Sequence, residues 1–105
     1  MPLQIEDGVE VSWNVLQEDM DKGEREDCFT CPIARSLLRV LPPGLIPEVD
    51  QAEITIYEYE PVTEGPGRAL WKATTPSEAS DFIFDFDMDE PVAPITITAT
   101  FRSVA

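Results

Sequence analysis

The chain has 105 residues and carries 21 acidic against seven basic side chains, a formal net charge of −14, with no histidine. This is the length of one domain with a modest core, and a 43% hydrophobic fraction with nine aromatic residues is too rich for intrinsic disorder. No window approaches the ~18 to 20 apolar residues that span a bilayer, and so acidic a chain is not expected on nucleic acid or an anionic membrane, both of which attract basic patches.

Along the chain, Val9, Val11, Trp13 and Val15 alternate with Glu10, Ser12 and Asn14, the period of a strand with one buried face. Gln17 to Lys22 reads as one or two helical turns with little core of its own, closed at Gly23 by a left-handed conformation. Pro32 suits the first position of the next helix and makes Cys31 its N-cap. Ile33, Ala34, Leu37, Leu38 and Leu41 form the inward stripe of that helix, with Arg35, Ser36 and Arg39 on its other side. Pro42, Pro43 and Gly44 end it.

A proline-containing loop follows, then a strand over Glu53 to Tyr59, rich in β-branched and aromatic residues. The turn-rich EPVTEGPG leads to a partner strand over Ala69 to Thr74, predicting a hairpin with a long loop. Thr75, Pro76, Ser77 and Glu78 make a helix-start signal of the capping-box type. Ala79, Phe82, Ile83 and Phe86 then recur at helical spacing to about Met88. In PITITATFR, Ile95, Ile97, Ala99 and Phe101 alternate with polar residues, predicting a last strand over Pro94 to Arg102. The fold class expected is α+β: a mainly antiparallel sheet of about four strands, two main helices packed on one face, and the order β-α(short)-α-β-β-α-β in one domain over residues 1–105.

Two stretches resemble a known family. The short Asp19 to Gly23 turn before Cys31-Pro32-Ile33-Ala34, and the later helix Ala79 to Asp87 followed by Pro91 and Val92, are similar to the pattern of a family of small, functionally uncharacterised α+β proteins of bacteria and their phages. Asp89 stands where that family would carry a glycine after the late helix. The resemblance covers about half the chain. It implies one α+β domain and a bacterial or phage source, and it implies no catalytic residue.

The missing histidine removes the usual general base, His-dependent nucleophile systems and most zinc sites. Cys28 and Cys31 supply half of a four-cysteine zinc set and no more. As a redox pair they are opposed by Glu24, Glu26 and Asp27, whose charge disfavours thiolates; the alternative is that Cys31 caps the helix and Cys28 fills a gap. Asp85 to Glu90 echoes a calcium loop, but Glu90 stands where the turn needs glycine and Thr96 where the last glutamate belongs. No cofactor and no catalytic residue is expected, and the chain reads as non-enzymatic. With no signal-peptide pattern and one CFTC cysteine cluster, the expected location is the reducing bacterial cytoplasm.

Charge distribution is the most informative feature. From Ala73 to Thr100 there is no lysine or arginine, yet Glu78, Asp81, Asp85, Asp87, Asp89 and Glu90 fall there and predict an unbroken negative ridge opposite Phe82 and Phe86. Glu18, Asp19, Asp21, Glu24, Glu26 and Asp27 form a second cluster, and Val40 to Gly67 holds six acids and no base. Such a ridge imitates rows of phosphate, so the function expected is an acidic interaction protein, of the kind a phage uses to inhibit a basic nucleic-acid-binding host protein. The alternative is a small structural or dimerisation domain whose charge serves solubility. Trp13, Tyr57, Tyr59 and Trp71 are candidates for an apolar patch, and the edge of Pro94 to Arg102 for self-association.

Overall fold

The computed structural model describes residues 2–104 and contains three helices and six strands. In chain order they are β1 (Glu10–Val15), α1 (Gln17–Lys22), α2 (Pro32–Val40), β2 (Leu45–Val49), β3 (Glu53–Glu60), β4 (Gly65–Thr74), α3 (Ser77–Asp87), β5 (Ile95–Thr100) and β6 (Arg102–Ser103). The α+β expectation holds, with the strands divided between two antiparallel sheets, β1-β5 and β2-β3-β4-β6. α2 packs against β1 and β2, so it bridges the two sheets.

Period-two patterning builds the small sheet. Val11, Trp13 and Val15 point inward from β1, opposite Ala99, Ile97 and Ile95 of β5. The outer face is polar, with Ser12 hydrogen-bonded to Thr98 (2.8 Å) and Thr96 to Asn14 (2.7 Å). The last strand does not run unbroken as its alternation predicts. At Phe101 the chain leaves β1, and Arg102 and Ser103 pair with Lys72 and Trp71 of β4. Phe101 is wholly buried at this corner, its ring 6.4 Å from that of Trp13.

The four-stranded sheet departs from expectation twice. Leu45–Val49, predicted as loop, is a strand paired with β3; its Pro47 has no N–H to donate and is accommodated because β2 is the sheet edge. The β3–β4 loop is also shorter than predicted, since β4 begins at Gly65. A side chain at Gly67 would meet the Glu58 carbonyl oxygen at 3.0 Å, so glycine there lets the two strands close early. β3 is the inner strand between β2 and β4, and its Ile54, Thr55 and Ile56 are all buried.

Local signals in the helices hold with three corrections. Gly23 is extended (φ −72°, ψ 152°), not left-handed; its missing side chain instead admits the Asp19 carbonyl and the Pro32 ring, each 2.8 Å from where a Cβ would stand. In α2, Leu38 is exposed while Ser36 is wholly buried, donating to the Ile33 carbonyl (2.6 Å) and accepting from the Trp13 indole N–H (2.9 Å). Ser36→Ala leaves that N–H buried without a partner. Its expected cost is roughly 1–3 kcal/mol in urea unfolding, and a loss under about 0.3 kcal/mol would show that the indole finds another acceptor. The third correction is Thr75, whose hydroxyl donates to the Asp50 carbonyl (2.8 Å) and caps nothing; α3 opens at Pro76 with no side-chain cap.

Candidate partner-binding face

α3 buries Ala79, Phe82 and Ile83, and Phe86 stacks on Phe82 at 6.4 Å with rings 5° apart. At 100° per residue the opposite side is centred on Asp81, Phe84 and Met88, flanked by Glu78 and Asp85 on one side and Asp87 on the other. Phe84 is 54% and Met88 61% exposed. The outward face is therefore not an unbroken acidic ridge: two apolar side chains run through it. Acids near the carbonyl end of a helix oppose its dipole, and the last turn of α3 has no base to offset Asp85 and Asp87. Helix formation does not explain those carboxylates.

Asp87, and Asp89 just beyond the helix, have a tertiary role. The Arg25 guanidinium pairs with the Asp89 carboxylate, and the Glu26 N–H donates to Asp87 Oδ1 at 2.9 Å. Asp89 and Glu26 both take the left-handed conformation (φ 61° and 57°), which glycine adopts more readily than either. These contacts fold the segment between α1 and α2 onto the end of α3. Acidic clusters some 60 residues apart thus meet on one surface. On one flank of α3, Glu26, Asp27, Asp50 and Asp87 ring a cleft of about 280 Å³ floored by Val49, Ile83 and the two cysteines. On the other, Glu78, Asp81 and Asp85 border a groove of about 310 Å³ floored by Phe82, Val92 and Ile95. Among the described residues only five ion pairs form, so most of the 21 carboxylates have no cation beside them.

Not every predicted acid joins this face. Asp19 is buried, accepting from the Leu16 N–H (2.8 Å) and from Arg39 (2.8 Å), which also reaches the Asn14 carbonyl (3.0 Å). It ties α1 to α2 and β1 and leaves the second surface cluster one member smaller. Glu90 is exposed without a side-chain partner, next to the Asp89 anchor. No protein-family model, curated protein or solved structure matches the chain. No helix among the described residues is long and apolar enough to cross a membrane, and those residues bring no three cysteine or acidic side chains together as a metal set. Of the four aromatics expected in an apolar patch, Trp13 is buried, Tyr57 bonds Glu48 (3.0 Å), Trp71 packs against the core, and only Tyr59 is exposed, to 42%. Phe84 and Met88 carry the apolar signal instead. Their outward positions on the helical repeat, beside Asp81, were the available clue.

The cysteines serve packing and capping. Cys31 Sγ accepts from the Ala34 N–H at 3.4 Å, as its N-cap position predicts, and Asp27 organises the approach by accepting from the Phe29 and Thr30 N–H groups (2.9 and 3.1 Å). Those bonds, led by the one from Phe29, hold the Asp27 carboxyl below its usual range. Burial first, then Glu48, Asp50, Asp27 and Asp87, push the Cys28 thiol up; burial pushes Cys31 up to about 11 from 9.0. Both are free thiols, and burial together with the surrounding carboxylates disfavours the thiolate that redox exchange requires. Below pH 9 Cys31 is neutral in folded and unfolded chains alike, and its contribution to stability is intact. Between pH 9 and 11 only the unfolded chain ionises, so about 2–3 kcal/mol of stability should be lost over that interval. Cys31→Ser, which keeps the cap, should remove this alkaline loss; an unchanged pH profile would assign it to other groups.

Proposed function

We propose that this protein is a non-enzymatic acidic interaction module that occupies the cationic surface of a basic protein, in the manner of an inhibitor imitating nucleic-acid charge. One observation carries the reading. The 24–27 segment and the end of α3 meet through Arg25–Asp89 and Glu26–Asp87, with Arg25 committed to its own partner; Asp27 and Asp50 line the cleft at that junction, and Glu78, Asp81 and Asp85 border the groove on the other flank of α3. A concentrated negative field of this kind steers a positively charged partner and repels nucleic acid and anionic lipid. A basic nucleic-acid-binding protein presents the complementary field.

The immobilised protein, exposed to bacterial lysate and washed with rising salt, should retain a nucleic-acid-binding protein that is released at about 0.5 M NaCl, where screening shortens to a few ångströms, or by added DNA. Recovery of no salt-sensitive partner, or of one that DNA leaves in place, would overturn the mimicry.

A further inference from the structure

Charge alone does not account for the outer surface of α3. Phe84 and Met88, one turn apart, are more than half exposed in the middle of it, although the same helix buries three other apolar residues completely or nearly so. Beside them the groove between α3 and the segment leading to β5 has an apolar floor of Phe82, Val92 and Ile95 under a rim of Glu78, Asp81 and Asp85. An apolar ridge next to an acid-rimmed apolar groove selects for a partner that is both oily and cationic. A hydrocarbon stem lies on such a floor while its charged head reaches the rim, which is how arginine and lysine cover apolar surface. A second copy of this chain is the wrong occupant, since it would set three more carboxylates against Glu78, Asp81 and Asp85. Nucleic acid and anionic lipid are excluded by the same charge.

We propose that the outer face of α3 is a docking site for a cationic amphipathic helix of the partner protein, with apolar side chains of that helix packed on Phe84 and Met88 and its arginines lying along the groove to Asp81 and Asp85. This rests on the reading of the protein as a binder of basic partners and deepens it. Carboxylates supply steering and salt dependence; Phe84 and Met88 supply contact energy that salt does not screen. Aromatic and methionine side chains in desolvated contacts dominate binding energy where a polar rim excludes water, and the arrangement on α3 has that form.

Two synthetic helical peptides with the same number of arginines, one carrying leucines on the opposite face and one carrying glutamines, would be titrated by fluorescence anisotropy at low and high salt. The expected result is at least about tenfold tighter binding of the leucine peptide. Phe84→Ser/Met88→Ser should abolish that preference at both salt levels, and Asp81→Asn/Asp85→Asn should weaken both peptides only at low salt. Equal, salt-sensitive binding of the two peptides would overturn the docking site and leave the acidic module standing. Binding of neither peptide would overturn both. A dimer in sedimentation that Phe84→Ser disperses would assign the apolar pair to a second copy and overturn the inference.

Discussion

Phe101→Ala is expected to lower the stability of this protein by about 3–5 kcal/mol. The ring is wholly buried, contacts Trp13, and stands where the chain crosses from the β1-β5 sheet to the four-stranded sheet. Truncation removes a large apolar area from the core and leaves a cavity that the corner cannot close, because strand pairing on either side fixes its backbone. Total stabilities of small domains are about 5–15 kcal/mol, so this single change removes a large share and should lower Tm by more than 10 °C for about 3 kcal/mol lost. Phe84→Ala is the matched control: its ring is more than half exposed, and the expected change is within about 0.5 kcal/mol. Urea unfolding of the two variants would check both numbers. A loss below about 1 kcal/mol for Phe101→Ala would mean that the two sheets do not depend on this corner.

The second large effect is on binding. Asp81→Lys/Asp85→Lys should weaken the complex with the cationic partner by about a hundredfold or more at low salt, given that close charge pairs at an interface couple by about 1.5–7 kcal/mol each. Folding should respond in the opposite direction. The change reduces a net charge of −14, removes repulsion from a region whose last helical turn has no base, and places a cation in that turn, where the dipole favours it. An unchanged or raised Tm with lost affinity therefore separates a binding defect from a misfolded variant. Retained affinity would show that the acids of α3 lie outside the interface.

Phe84 and Asp81 also illustrate why the site was only half legible. Helical spacing put Asp81 outward, and it is exposed; Asp85, read as lying opposite Phe82 and Phe86, is half-buried and borders the same groove as Phe82. The same spacing put Phe84 outward as well, but a phenylalanine within an apolar run reads by default as core. Asp87 and Asp89 read as free carboxylates and are tied to Glu26 and Arg25, residues some 60 positions away. Asp19 read as surface charge and is buried by its bond to Arg39, 20 positions away. Each of these three depends on which distant segment lies beside the carboxylate.

The strands show the same division. Val11, Trp13 and Val15 of β1, Ile97 and Ala99 of β5, the Cys31-Pro32 start of α2 and the inward stripe of α3 are set by repeats of two or 3.6 residues and by one missing proline N–H, quantities that act within a few positions. Sequence alone determined these elements, the α+β class and the strongly anionic character of the surface. Packing decided what lies beyond that range: that Leu45–Val49 with its proline is an edge strand because β3 offers it a partner, that the chain changes sheets at Phe101, that Ser36 is buried because the Trp13 indole needs an acceptor, and that two acidic segments share one face. The physical reason is that hydrogen bonds and ion pairs between remote segments leave no periodic trace, since each is chosen only when the core has already brought its two ends together.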